Sequence, residues 1–361
     1  MKGDAGVAEN LEIVRTSNVE ERAGLDRRPR IGFLGAGWIG RNRLEAIAKS
    51  GLAEIAAIAD TNSDALDALG KVVPDFRPCL DEDTLLACGL DGVVIATPTG
   101  LHAAQAERFL KNGVAVFCQK PLARDAQQTR RVVDIARQSD RLLDVDFSYR
   151  QTSGLQAIKR AIAAGEVGDV FAVDLAFHNA YGPDKAWYRD KALSGGGCVA
   201  DLGVHLVDAV LWCLDFPEIA SVKGQLFRVG QALTSLNEIE DFAVADIRLK
   251  GGTVIRLSCS WNAHAGKDAE ISAHFWGRNS SYAWRNVEGS FFDFVTRRLH
   301  GTGTELLHAG EEEWGGRAAV NWVRDLARSR HFNPAAEKVV RVAEVLDGIY
   351  GRAPAQALAC V

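Results

Sequence analysis

A chain of 361 residues, 47% hydrophobic and 25% charged, has the make-up of an ordinary globular protein with material for two cores, which excludes a disordered or fibrous chain. Its formal net charge of -5 gives no positive field for counterion release and sets nucleic acid aside as a partner. No uninterrupted apolar run approaches the roughly 18 residues that span a bilayer, so no membrane partner is expected.

Residues 1–29 are polar and mixed in charge, with Glu20-Glu21-Arg22 and no apolar core of a signal peptide. They read as an N-terminal extension without chemistry, and the cytoplasm as the expected location. From Arg30 to about residue 150, short apolar runs alternate with helical patterns. The runs are Ile31-Gly32-Phe33-Leu34, Ile55 to Ala59, Gly92 to Ala96, Val114 to Phe117 and Leu142 to Phe147. This rhythm predicts a βαβ series, a parallel sheet and an α/β Rossmann domain over residues 30–150. After residue 151 it gives way to a helix over Leu155 to Ala164, closed by Gly165, and then to alternating strands at Val170 to Phe177, Phe242 to Leu249 and Thr253 to Ser260. Residues 151–361 are therefore expected to form an α+β domain with a large, mainly antiparallel sheet covered on one face. Helices near Ala318 to Ala327 and Val339 to Tyr350 close the chain.

Seven cysteines, from Cys79 to Cys360, lie widely spread, with no CxxC and no Cys/His pairing at metal-ligand spacing. They read as reduced apolar residues, and no metal site is expected.

Gly35-Ala36-Gly37-Trp38-Ile39-Gly40 follows the first strand and opens a helical pattern, the context in which GxGxxG binds a dinucleotide. Gly35 allows the tight turn, Gly37 lets backbone approach a pyrophosphate, and Gly40 lets helix pack on strand, while the helix N-terminus attracts phosphate charge. Trp38 and Ile39 lie within that loop and are counted with it. Asp60, about 20 residues past Gly40 at the end of the next strand, is placed to accept hydrogen bonds from the adenosine ribose. Its other reading is the N-cap of the helix near Asn62. Its charge would repel a 2′-phosphate, and no Arg occurs in Thr61-Asn62-Ser63. The cofactor expected is NAD rather than NADP.

Three further stretches complete a pattern. They are Ala96-Thr97-Pro98-Thr99-Gly100-Leu101-His102, Cys118-Gln119-Lys120-Pro121-Leu122, and the run from Gly195-Gly196-Gly197 through Asp201-Leu202-Gly203-Val204-His205. In this order the motifs resemble the Gfo/Idh/MocA oxidoreductases, over nearly everything after Arg30. The resemblance implies a Rossmann domain joined to an open-faced antiparallel sheet. It also implies NAD(P)-dependent dehydrogenation of sugars, inositols and related polyols, and dimers or tetramers formed through that sheet. It places Lys120 beside the nicotinamide as the lysine of a Glu-Lys-Pro motif and pairs Asp201 with His205. Thr97, Pro98, His102 and Gln119 are then expected near the cofactor.

Independently of any family, Asp201 and His205 stand four apart in a helical stretch, which puts both on one face. His205 suits proton abstraction from a hydroxyl near neutral pH, and Lys120 suits stabilisation of the alkoxide that develops. Two positions depart from the family pattern: Thr99 stands where Asn is frequent, and Gln119 where Glu is usual. Loss of that charge next to Lys120 is expected to lower the lysine pKa. For the substrate, Tyr149, Arg150 and Trp187, with Tyr181, Tyr188 and Arg189 near them, form a polar-aromatic surface suited to sugar rings or to interface packing. His178 and Asn179 are weaker candidates. The expected function is reversible alcohol-to-ketone conversion on a sugar, cyclitol or related polyol. The rivals are a catalytically silent dinucleotide sensor and an NAD-dependent glycoside-cleaving enzyme, and the intact Lys120 and His205 speak against the sensor. A homodimer or homotetramer through the second sheet, with the strand Thr253 to Ser260 contributing, is also expected.

Overall fold

The computed structural model describes residues 27–235 and 237–352. Residues 1–26 of the expected extension and Cys360 lie outside them.

The apolar runs of the first half form strands because each can bury both faces under helices. In chain order they are β1 (Arg30–Leu34), α1 (Trp38–Ser50), β2 (Glu54–Ala59), α2 (Ser63–Gly70), β3 (Arg77–Cys79), α3 (Glu82–Leu86), β4 (Gly92–Ile95), α4 (Thr99–Lys111), β5 (Ala115–Gln119), α5 (Ala126–Gln138) and β6 (Leu143–Asp146). The sheet runs β3-β2-β1-β4-β5-β6 and every pairing in it is parallel. The strand order reverses between β1 and β4, the switch point at which such sheets open a ligand crevice beyond their carboxyl ends. Strand β3 escapes the apolar pattern because its sequence is Arg77-Pro78-Cys79.

The second half begins with α6 (Ser153–Ala163), β7 (Val170–Asn179) and the short α7 (Lys191–Ser194). A π-helical turn at Val199–Gly203 follows and runs straight into α8 (Val204–Cys213). Then come β8 (Ile219–Arg228), β9 (Gln231–Ala232), β10 (Phe242–Leu249), β11 (Val254–Ser260), β12 (Ala269–Gly277), β13 (Ser281–Asn286), β14 (Phe294–His300), β15 (Gly303–His308), α9 (Arg317–Arg328) and α10 (Lys338–Ile349). Nine strands make one sheet in the order β15-β14-β13-β12-β7-β11-β10-β8-β9. Only β7 with β11 pairs in parallel, so the sheet is mainly antiparallel, as the alternation predicts. One face carries Val173, Leu175, Ile255, Leu257, Ile271 and Phe275 into the core. The other mixes Trp276, Phe242 and Val244 with Asp174, Arg256 and Asp246.

The stretch Lys191–Cys213 is long and apolar enough to cross a membrane by length and composition, yet 83% of its window is buried inside the protein. It is the core helix under the second sheet. Helix α9 corrects the division at residue 151. Although it falls inside 151–361, it packs against α1, β5 and β6 of the first half. There Trp322 is 1% exposed and tilts against Phe117 with ring centroids 5.5 Å apart. The six described cysteines are free, and no His/Cys/Asp/Glu cluster suited to a metal occurs among the described residues.

Candidate active site

A cavity of about 1140 Å³ runs along the carboxyl ends of the first sheet and under the second. Its near end is built by the glycine loop. Gly35 has φ +97, and a Cβ on Gly40 would lie 2.2 Å from the Gly35 carbonyl oxygen, so neither position accepts another residue. A Cβ on Gly37 would meet nothing within 4 Å; that face opens on the cavity beside Trp38 and Ile39. No side chain caps α1 and its first turn holds no acidic residue, which leaves its N–H groups to a phosphate. Asp60 lines the same end. Its Oδ2 accepts the Ala36 N–H at 2.5 Å and its Oδ1 the Asn62 N–H at 2.8 Å. The N-cap of α2 is Asn62, which accepts from Asp64 and Ala65, so the capping alternative for Asp60 falls. An uncapped helix start, an open glycine face and a strand-end carboxylate together fit a dinucleotide.

Thr97, Pro98 and His102 lie midway along the cavity. The buried His102 ring bridges two loops, with Nε2 2.7 Å from the Thr97 carbonyl and Nδ1 2.9 Å from that of Pro121. Burial lowers its pKa, against the pull of those carbonyls, and a neutral ring donates to only one of them. The Thr97 hydroxyl turns to Gln105 Oε1 at 2.5 Å.

At the far end Lys120 Nζ donates to the Asp201 main-chain oxygen at 2.6 Å and to its Oδ1 at 3.0 Å. Asp201 Oδ2 accepts from Trp261 Nε1 at 3.1 Å. Side-chain exposures of 15% for Lys120 and 16% for Asp201 leave the pair reachable from the cavity. His205 stands beside it, its ring edge-on to Tyr149 with centroids 4.9 Å apart. Nδ1 is buried and unpartnered, so Nε2 is the nitrogen on the cavity side. Burial, with the Lys120 and Arg43 cations adding to it, holds the imidazole pKa well below its ordinary value. The ring is therefore neutral near pH 7 and able to take a proton. The four-residue spacing does bring Asp201 and His205 to one cavity, but through the π turn rather than regular α-helix.

One expectation is corrected. Arg150 does not line the cavity. It turns inward to the buried Asp208, with Nε 2.7 Å from Oδ2, and covers the Phe147 ring. Gln119 lines the cavity, but its amide donates to Asp146 Oδ2, which also accepts from Arg43 Nε. A carboxylate thus stands one strand away from where the family pattern puts it. Arg43 and Asp146 are residues that sequence reading missed. Their one signal was charge on faces that pattern as buried, 5% and 1% exposed.

Tyr149 is enclosed by Phe177, Trp284, Phe294 and Trp314 and presents only part of its ring. Trp187 stacks on Tyr188 at 3.8 Å, and both line the cavity with Phe291 and Phe292, which the sequence reading did not single out. His178 bonds Ser260 Oγ at 2.7 Å, outside the cavity.

Comparison with known proteins agrees with this geometry. Residues 29–147 match the oxidoreductase family profile described as an NAD-binding Rossmann fold, and residues 155–283 match the GFO/IDH/MocA C-terminal domain. Inositol 2-dehydrogenase of Rhizobium meliloti (strain 1021) is 27% identical over 245 residues, covering 68% of this chain and 72% of that protein. Levoglucosan dehydrogenase, solved with NADH and levoglucosan, superposes with a TM-score of 0.78 at 18% identity, over 91% of this chain and 97% of that one. A 3-ketoreductase from Actinomadura kijaniata, solved with NADP, gives 0.77 at 20% identity, over 91% and 98%. At these identities the last two likenesses are of fold.

Proposed function

Because the chain belongs to the Gfo/Idh/MocA family of oxidoreductases, we propose a role for each residue along its cavity. The protein is an NAD(P)-dependent oxidoreductase that interconverts a hydroxyl and a ketone on a sugar, cyclitol or related polyol. The observation that carries the site assignment is the Lys120–Asp201 pair with His205, lining the same cavity as Gly37 and Asp60.

Gly35, Gly37 and Gly40 shape the pyrophosphate turn, and Asp60 receives the adenosine ribose. The Asp60 carboxylate favours NAD over NADP, because a 2′-phosphate beside it would meet like charge with no guanidinium at 61–63 to offset it. Once bound, the nicotinamide supplies hydride acceptance and donation at its C4. In the oxidation direction His205 Nε2 takes the hydroxyl proton. The Lys120 ammonium donates to the same oxygen and stabilises its developing negative charge. Asp201 holds Lys120 in place, and the Tyr149 edge fixes the His205 ring. Trp187 and Tyr188 offer a flat face for the C–H side of the substrate. The mixed open face of the second sheet, with β11 near its centre, supports homo-oligomerisation, and the cytoplasm fits six free cysteines among the described residues.

A panel of sugars, inositols and sugar acids with NAD, followed by NADH absorbance, tests the reaction. His205→Ala and Lys120→Met should each lower turnover by about 10²- to 10⁴-fold with NADH binding retained; undiminished turnover in both would reject the roles. Sedimentation as a monomer at micromolar concentration would reject the oligomer.

A further inference from the structure

Glu240 precedes β10 and does not line the cavity, yet its carboxylate is 1% exposed and fully engaged. Oε1 accepts the N–H of Gly197 at 2.9 Å, that of Val199 at 3.0 Å and the Tyr350 hydroxyl at 2.7 Å. Its main-chain oxygen accepts the Cys198 N–H at 3.2 Å. Tyr350, just past α10, completes the set, its oxygen accepting the Ala200 N–H at 3.2 Å. Four consecutive N–H groups, which a helix start leaves without intrahelical partners, are thus held by two residues remote in sequence. The glycine run makes room for them. A Cβ on Gly197 would lie 1.9 Å from the Glu240 carbonyl oxygen, and one on Gly196 would lie 2.0 Å from the Tyr350 hydroxyl.

The next residue is Asp201, whose main chain and carboxylate both hold Lys120. It sits in a π turn, a one-residue widening that an unsupported helix seldom keeps. We propose that Glu240 and Tyr350 are positioning residues for the Lys120–Asp201 pair. They fix the π turn against the second sheet and α10, and so set where the Lys120 ammonium meets the substrate hydroxyl. This rests on the reading of Lys120 as the group that polarises that hydroxyl.

The full chain carrying Glu240→Gln or Tyr350→Phe tests it. With its oxygen in the Oε1 place, the amide would turn an N–H toward the Gly197 N–H, which Oε2 accepts at 3.0 Å. The phenylalanine only removes one hydroxyl. Each variant should lose about tenfold to a hundredfold in kcat, the size of effect that a small misplacement of a reacting group produces, while polyol KM and NADH Kd stay as in wild type. A readout independent of turnover is acetic anhydride labelling followed by peptide mass spectrometry. Lys120 should label faster in both variants, with the exposed Lys49 as the unchanged reference. If folded Tyr350→Phe keeps wild-type kcat and wild-type Lys120 labelling, the proposal is overturned. It is equally overturned if thermal stability falls while Lys120 labelling does not move, which marks a purely structural cap. Should Glu240→Gln not fold, Tyr350→Phe decides alone. Should wild type oxidise no polyol, the functional reading fails, and the Lys120 labelling still decides whether these residues hold the pair.

Discussion

Gln119 and Asp146 lie directly opposite each other in the β5–β6 register, and the Gln119 amide donates to the Asp146 carboxylate that Arg43 also holds. Glutamate at 119, the residue usual in the family, would set two buried carboxylates face to face. The amide and the carboxylate one strand over form a matched pair, so the missing charge at 119 is relocated rather than lost.

Asp146→Ala should therefore cost about 3–5 kcal/mol of stability, since it leaves the Arg43 guanidinium buried without its counter-ion. Gln119→Glu alone should also destabilise, by like-charge repulsion, whereas Gln119→Glu combined with Asp146→Asn should recover much of the loss. Urea midpoints of these variants and of Asp146→Asn alone check this; additive losses in the double variant would show that the two positions are not coupled.

Burial lowers the pKa of both His102 and His205. The unfolded chain, with histidines near about 6.5, then binds protons that the folded chain does not. Stability is full above that value and falls as pH drops through it toward the folded values, by at most about 1.4 kcal/mol per pH unit for each such histidine. Urea midpoints taken from about pH 7.5 down to about pH 5 should show the decline, and His205→Gln should flatten it. With His205 as base, the acid limb of kcat/KM for oxidation should fall below the ordinary histidine value, because the ring stays neutral to lower pH.

Asp60→Ser removes the strand-end anion along with acceptors for the Ala36 and Asn62 amides. The preference for NAD over NADP should drop by at least about tenfold, or about 1.4 kcal/mol. Dissociation constants of both reduced coenzymes measure it, and an unchanged ratio would remove Asp60 from coenzyme choice.

Arg150→Ala should act on stability and not on substrate. It strands the Asp208 carboxylate, 1% exposed, at a cost of about 3–5 kcal/mol, while polyol KM keeps its wild-type value. A raised KM with unchanged stability would return Arg150 to the substrate site.

Much of this protein is legible in its sequence, because the relevant signals are local. The Gly35 to Gly40 loop and Asp60 are fixed relative to each other by one strand-helix-strand unit, and the Asp201 to His205 spacing by one helical turn. Alternation predicts the second sheet wherever one face is buried, as in β10 and β11. Other features depend on residues that meet only after the chain has folded. Arg43 reaches Asp146 across 103 positions and Glu240 meets Tyr350 across 110, and Trp322 of α9 returns to the first sheet against Phe117. The inward turn of Arg150 and the shift of the carboxylate from 119 to 146 belong with these. Both were decided by which strand and which helix lie alongside, and strand order and helix packing are properties of the folded chain that spacing along it does not carry.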